Sequence, residues 1–428
     1  MLNIQKIIEE TDHVKERLAS RGEDAPIDEI VELDVRRRGL IVDVDELRGH
    51  RNETSKAIGA AKQKPSPEQI AEMREVGNRI KQIEADLLET EESLRDLMIV
   101  LPNLPLDDVP IGLDESSNVI LETVGKADES APAVEPHWDS GPRLGIINLE
   151  AGARMSGARF FVMSGAGAQL QRALTSWMLD VHVRENGYTE ISPPLLVREE
   201  TMLGSGNLPK FASNLYRDDE SGLWLIPTAE VSLNALHAGE IIDAGVLPLK
   251  YVAHTPSFRK EDTAAGRDTR GIKRVHQFEK VEMFRYTEPE DSATALSDML
   301  SQATDLCARL GFAYRTIALC TGDIGFQSAK TFDIEVWSPG VQEWLEVSSI
   351  STCGDFQARR NGTRYRPAPG ASTRYPTTLN GSGLAVPRIM IAIMENGLNS
   401  DGSISVPEVL VPYTGFERIE APASLQLS

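Results

Sequence analysis

The sequence predicts an α+β protein: a mostly antiparallel β-sheet domain with helices, preceded by a long antiparallel α-helical coiled-coil hairpin. Three observations carry this. Apolar or small side chains recur at alternating spacings of three and four from Ile30 to Leu101, interrupted once by a pair of prolines. A Pro-, Asp- and Ser-rich stretch without period follows. Beyond it, strand-like runs succeed one another without regular helices between them, which favours antiparallel pairing.

In chain order, the first seam runs through Ile30, Leu33, Leu40, Val44, Leu47, Ile58 and Ala61, with Arg37, Arg51 and Thr54 at interrupted positions. The run "KQKPSPEQ" (62–69) stops that helix, and the spacing resumes through Met73, Val76, Ile80, Ile83, Leu87, Thr90, Leu94, Leu97 and Leu101. Two helices of about 30 residues at ~1.5 Å rise give an arm of ~45 Å, a length suited to a lever or a ruler. Residues 1–105 are assigned to this arm, and "PNLPLDDVPIGLDESSN" supplies a linker at 106–120. The second domain takes 121–420, with helices expected over 166–184 and 292–310 and strands alternating with loops to about Glu395. The tail 421–428, "APASLQLS", is expected to be disordered. No internal repeat occurs, and no G-x-x-x-x-G-K-[ST] phosphate loop is present.

Composition narrows the function classes. At 428 residues, 41% hydrophobic and 25% charged, the chain has the make-up of a water-soluble globular protein. No apolar run approaches the ~20 residues that span a bilayer and no secretory leader is evident, so the expected location is cytoplasmic. Cys307, Cys320 and Cys353 are odd in number and far apart, which indicates neither a disulfide framework nor a clustered zinc site. A formal charge of −21 opposes indiscriminate adsorption to nucleic acid, so a nucleic-acid partner must meet local basic patches. From Arg36 to Lys81 the arm carries eleven Arg or Lys against seven Asp or Glu. Charge alone leaves two readings open, a solvated coiled-coil face with i,i+4 pairs or a docking surface for a polyanion.

The most concentrated signal is "FRKEDTAAGRDTRGIKRVHQFEKVEMF" (258–284), with six Arg or Lys before its Glu279-Lys280-Val281-Glu282 run. Read as a strand from Gly271, alternate side chains put Arg274, His276, Phe278, Lys280, Glu282 and Phe284 on one face. The preceding Gly-rich, charged loop folds back to a partner strand ending at Phe258 and Arg259. Arg259 and Arg274 at the two mouths can grip an anion, and Phe278 offers a flat surface to a planar base. A surface hairpin with charged edges remains the alternative at this point.

These residues closely resemble motif 2 of the class II aminoacyl-tRNA synthetases, in the form found in the seryl-tRNA synthetase family: R-x-E, a loop holding G-R-D-T-R-G, then H-Q-F-x-K-V-E. "GYTEISPPLLV" (187–197) resembles motif 1 and "TLNGSGLAVPR" (378–388) motif 3. "PTAEV" (227–231) and "EVSSISTCGDFQARR" (346–360) are similar to the serine loop and to the ATP and metal segment. The likeness covers nearly the whole chain. Asp262-Thr263 departs from the small residues and glycine more usual early in the motif 2 loop.

The resemblance implies roles residue by residue. Arg259 holds the α-phosphate, Glu261 the adenine edge and Phe278 the adenine ring. Arg388 clamps the far phosphates with help from Arg274, and Lys260, Val275, Val347 and Ser348 complete the ATP segment. Arg259 and Arg388 are the residues expected to act on the reacting phosphates, because guanidinium groups bind phosphate bidentately and stay charged. Glu346 and Ser349 are the implied Mg²⁺ ligands, an oxygen pair suited to that ion. The serine pocket is implied to comprise Thr228, Ala229, Glu230, Glu282, Asn380 and Ser382, with Glu282 on the substrate ammonium. His276 is read as a structural strand histidine. The implied reaction is activation of L-serine by ATP followed by transfer to tRNA(Ser), with tRNA(Sec) as a further acceptor. The family also implies a homodimer through Gly187 to Pro194, and an arm that meets the tRNA through Arg51, Lys56, Lys62, Lys64, Arg74 and Arg79. Two rivals stand beside this, a ligase loading a carrier protein and a non-catalytic RNA-binding paralogue. The long basic hairpin disfavours the first, and the presence of Arg259, Glu282, Glu346 and Arg388 the second.

Overall fold

The structure, a computed structural model, describes residues 1–61, 65–261 and 270–420. Lys62 and Lys64, Asp262-Thr263 and the tail 421–428 lie outside the described residues. The chain divides into two compact units, one comprising Met1–Ala19 with Glu23–Leu101 and the other Ser20–Gly22 with Pro102–Ser428.

In the first unit, two short helices precede α1 (Ile27–Ala61) and α2 (Pro67–Ile99), which pack against each other. The heptad positions form the seam: Val44, Ile80 and Ile83 are buried, flanked by Leu40, Leu47 and Val76. Pro67 stands at the first turn of α2, where its missing N–H is no loss. Ser66 and Gln69 close a reciprocal capping box at that terminus (Ser66 N–H to Gln69 Oε1, 2.9 Å; Gln69 N–H to Ser66 Oγ, 3.2 Å).

The second unit is built on an eight-stranded sheet. Its strands are β1 (Val119–Val124), β2 (Thr189–Glu190), β3 (Leu249–Phe258), β4 (Gln277–Thr287), β5 (Tyr314–Ala318), β6 (Lys330–Ser338), β7 (Glu343–Gly354) and β8 (Thr377–Ala385), in the order β1-β5-β6-β7-β8-β4-β3-β2. Every pairing is antiparallel except β2 with β3. Among its helices, those that bear on the site are α3 (His137–Arg143), α4 (Gly165–Arg184), α5 (Glu230–Asn234), α6 (Ser292–Arg309) and α7 (Val386–Asn396). Alternate residues of the strands, among them Val281, Met283, Ile334, Val336, Leu345, Val347 and Leu379, pack with α4, α6 and α7 in one buried core. The opposite parity is left for the site.

Three details differ from the sequence reading. β1 starts at Val119, inside the stretch assigned to the linker. β4 starts at Gln277 rather than Gly271, so Arg274 and His276 belong to the turn that leads into the strand. Residues 386–396 are helix, not strand and loop. "VPRIMIAIMEN" is buried on nearly every side, and a continuous apolar run has no period to distinguish a core helix from a core strand.

Candidate active site

The polar parity of β4, β6, β7 and β8 floors a cleft of about 940 Å³. On β4, Phe278 and Lys280 line it while Val281 and Met283 turn to the core, the alternation expected from the sequence, and Glu282, of the same parity as Lys280, is buried beside it. On β8, Asn380 and Ser382 line it, and Ser382 sits opposite Glu282 in the ladder. Between them Gly381 is required, because a Cβ there would come within 2.8 Å of Ile350. On β7, Glu346 and Ser349 both face the cleft although three residues apart. A bulge makes this geometry: the β6–β7 register shifts between Ile334, opposite Ser348, and Glu335, opposite Glu346.

One end of the cleft is cationic. Arg259, Arg274 and Arg388 line it together. The Arg259 guanidinium lies 5.2 Å from the Phe278 ring centroid, and its Nε donates to Pro227 O at 3.2 Å. Arg274 is 3.6 Å from the Glu261 carboxylate, and Glu261 adopts φ +52, uncommon for a residue with a Cβ. Arg388, on α7, donates to Glu346 O at 2.6 Å and stands 3.2 Å from its carboxylate. The Arg388 charge holds the Glu346 carboxyl below the usual range against the opposing effect of burial, with Arg259 and Arg274 adding to it. Three guanidinium groups against this carboxylate leave net positive charge for a phosphate chain. Beside Ser349, Asp333 is pushed well above its ordinary value by burial first and by Glu346 second, and its Oδ1 has no hydrogen-bond partner among the described residues.

The other end is a small, buried, carboxylate-rich pocket. Glu282 is fully buried, with Lys280 Nζ against its Oε2 and Asn380 Nδ2 at 3.5 Å from Oε1. Lys280 also donates to Thr228 Oγ1 at 3.1 Å. Glu230 is held by Gln357 Nε2 (2.7 Å) and Gln327 Nε2 (3.3 Å), and burial first, then Glu282, pushes its carboxyl up to about 7. Whenever Glu230 is ionised, two carboxylates face one ammonium and the pocket is short of one cation.

A stability prediction follows from Glu230. Its carboxyl is raised in the fold, so between about pH 4.5 and 7 the folded protein keeps a proton that the unfolded chain releases. Stability therefore falls as pH rises through that window, by about 3 kcal/mol once both forms are ionised. Glu230→Gln, which never ionises, should raise the melting temperature relative to the parent at pH ~8 and change it little at pH ~5. Calorimetry at the two pH values checks this, and an equal effect at both would refute it.

Not every expected residue reaches the cleft. Thr228, Glu230, Arg259, Glu261, Arg274, Val275, Phe278, Glu346, Ser349, Asn380, Ser382 and Arg388 line it together with Lys280. Two expected pocket residues do not: Glu282 is fully buried against Lys280, and Ala229 packs with Leu233, Ala253, Phe284 and Tyr286. Val347 points into the core, Ser348 donates from a buried position to Ser382 O at 2.6 Å, and Lys260 Nζ lies over the Tyr216 ring. His276 pins backbone, with Nδ1 3.0 Å from Arg259 O, and its ring lies against Phe160. The sequence reading left out Lys280, Asp333, Gln327 and Gln357. Lys280 shares its strand face with Phe278 and Glu282 in the sequence pattern, Gln357 lies within the 346–360 segment without any mark of its contact with Glu230, and Asp333 and Gln327 have no spacing that joins them to the motifs. On the first unit, Arg51, Lys56, Arg74 and Arg79 are exposed. All three cysteines are buried thiols without disulfides, and among the described residues no helix is long and apolar enough to cross a membrane.

The comparisons with known proteins agree over the full length. Residues 1–105 match the seryl-tRNA synthetase N-terminal domain family, and 211–397 the tRNA synthetase class II core domain of the G, H, P, S and T enzymes. The chain is 51% identical over 419 residues to a serine–tRNA ligase of Thermomicrobium roseum, covering 98% of this chain and 94% of that protein. To a serine–tRNA ligase of Chloroflexus aurantiacus it is 52% identical over 423 residues, 98% of this chain and 100% of that one. The crystal structure of seryl-tRNA synthetase from Pyrococcus horikoshii complexed with ATP superposes with a TM-score of 0.93 at 37% identity, covering 99% of this chain and 100% of that one. With both domains matched and half of all positions shared, the chain belongs to the seryl-tRNA synthetase family of class II aminoacyl-tRNA synthetases.

Proposed function

We propose that the cleft activates L-serine with ATP to seryl-adenylate, releasing pyrophosphate, and then transfers the seryl group to the terminal ribose hydroxyl of tRNA(Ser), releasing AMP, with tRNA(Sec) as a second acceptor. The observation that carries this is the pairing of a three-arginine phosphate end with a buried pocket one cation short, 940 Å³ in all and floored by one sheet face. The substrate carboxylate is already ionised and attacks the α-phosphorus without a protein base. Arg259 and Arg388 stabilise the charge on the phosphates, and Phe278 and Glu261 orient the base. Glu282 takes the substrate ammonium, which supplies the missing cation, while Ser382 and Asn380 meet the hydroxyl. A side chain that lacks the hydroxyl leaves these groups unpaired and is rejected.

The donor set also fits Mg²⁺. Glu346 and Ser349 offer oxygen from one face, and the unpartnered Asp333 Oδ1 lies beside them. Among the described residues no cluster of three or more His, Cys, Asp or Glu side chains is arranged to hold a metal by itself, so phosphate oxygens would complete the shell. When bound, the ion would neutralise phosphate charge.

The exposed Arg51, Lys56, Arg74 and Arg79 are proposed to meet tRNA backbone, a contact of shape and charge. A homodimer through Gly187 to Pro194 is supported by the exposed outermost strand at Thr189 and Glu190, and the protein would work in the cytoplasm with the tRNA it charges.

Amino-acid-dependent ATP–pyrophosphate exchange without tRNA tests the first step. Exchange should occur with serine alone of the standard amino acids. Replacing Arg51, Arg74 and Arg79 together by Ala should leave that exchange intact and raise the KM for tRNA about tenfold or more, with the largest difference from the parent at low salt, because fewer phosphate contacts flatten the salt dependence. Exchange with another amino acid would refute the pocket assignment.

A further inference from the structure

We propose that His137, held by Glu395, is a positioning residue that fixes residues 270–273, and with them Arg274, against the helix that carries Arg388. This rests on the reading of Arg274 as a phosphate ligand. Neither His137 nor Glu395 lines the cleft, and both are fully buried.

Glu395 lies on α7, seven positions and so about two turns beyond Arg388. Its carboxylate is saturated. Oε1 accepts from His137 N–H (3.1 Å) and faces His137 Nδ1 (2.9 Å), while Oε2 accepts from Gly340 N–H (2.9 Å), Val341 N–H (3.0 Å) and the Ser338 hydroxyl. Burial pushes the Glu395 carboxyl up, but the bonds from His137 and Ser338 outweigh it and leave it below the ordinary value. It is therefore a fixed anion.

The other ring nitrogen of His137 faces the loop. Ile272 N–H donates to Nε2 at 3.1 Å, so Nε2 must be the unprotonated nitrogen and Nδ1–H must point to Glu395. The ring can accept from the loop only because the carboxylate selects this tautomer. Packing reinforces the contact. Gly271 has φ +66 and lies so close that a Cβ would come within 2.0 Å of Nε2. The Arg270 guanidinium sits 4.3 Å from the centroid of the neighbouring Trp138 ring, Ile272 is buried in the main core, and Lys273 pairs with Glu343. Four consecutive residues, 270 to 273, are thus tied down by α3, the main core and β7, and the next residue is Arg274. The dyad links the phosphate-binding turn to α7, so that Arg274 and Arg388 keep their spacing.

The test compares His137→Asn, His137→Gln and Gly271→Ala, with Arg274→Ala as reference, in serine-dependent pyrophosphate exchange. Asn keeps a donor towards Glu395 but is too short to accept from Ile272, whereas the longer Gln can present its carbonyl oxygen to that N–H. His137→Asn and Gly271→Ala should each raise the KM for ATP about tenfold or more and leave the KM for serine within about twofold. His137→Gln should recover most of the ATP KM. Gly271→Ala combined with Arg274→Ala should add little to Arg274→Ala alone, because both act through one group. Should the His137 variants fail to fold, Gly271→Ala, which approaches the dyad from the loop side, decides. An unchanged ATP KM in Gly271→Ala and His137→Asn beside a raised one in Arg274→Ala overturns the positioning role and leaves the ATP site standing. An unchanged ATP KM in Arg274→Ala instead overturns the phosphate reading beneath it.

Discussion

Replacing Arg388 by Ala should lower the rate of serine-dependent pyrophosphate exchange by about 10²- to 10³-fold, the loss associated with removing one preorganised group that stabilises transition-state charge. The KM for serine should change little, since the proposed serine pocket lies at the other end of the cleft. A second signature follows from Glu346. Arg388 is the largest influence holding its carboxyl low, so in the variant that carboxyl titrates higher and is neutral over a wider range. The deficit should be deeper at pH ~6 than at pH ~8, because oxygen ligands serve a cation only when ionised. Arg388→Lys should restore part of the rate but not all of it, as an ammonium cannot reproduce the planar fork that also reaches Glu346 O. Exchange rates at the two pH values check both points. A deficit independent of pH would separate Arg388 from Glu346.

For Glu282→Gln the expected result is a rise of about 10²-fold or more in the KM for serine with an unchanged KM for ATP, from the loss of a buried charge pair worth about 2–5 kcal/mol. Folding should suffer too. Lys280 is buried and would lose the carboxylate it contacts directly, keeping Thr228 as its hydrogen-bond acceptor and only the more distant Glu230, whose carboxyl is raised, as a neighbouring acid. Adding Lys280→Met should then recover the melting temperature without recovering serine affinity, because an apolar replacement removes the stranded charge but restores no ligand for an ammonium. Calorimetry and exchange kinetics on the single and double variants make the comparison. Recovery of serine affinity in the double variant would show that Lys280, not Glu282, sets the pocket.

Much of this was legible in the residues, and where it was not the reason is physical. The heptad spacing of Leu40, Val44 and Leu47 against Val76, Ile80 and Ile83 marked a helical seam, because a coiled coil reads one face every three or four residues. Alternation in β4 puts Phe278 and Lys280 on the site face, with Glu282 of the same parity buried beside them, and Val281 and Met283 in the core. It failed for Arg274 and His276, which precede the ladder and take their positions from Ile272 and from Arg259 O. Helix α7 was missed because burial all round erases periodicity. Gln357 and Gln327 reach Glu230 from distant segments, and Asp333 meets Ser349 only across a strand pair. Contacts of that kind belong to the fold and leave no local mark.

The irregularity in β7 can be put in the language of reading frames. A strand is read in steps of two, and the extra residue between Glu346 and Ser349 shifts the frame, so that Leu345 and Val347 are read into the core in one phase and Ile350 in the other. Inserting one more residue there, with the single irregularity unable to absorb it, would slip the downstream half by one step. Ser349 would then be read into the core and Ile350 towards the cleft, a missense at every later position of the strand from a change that alters no existing side chain.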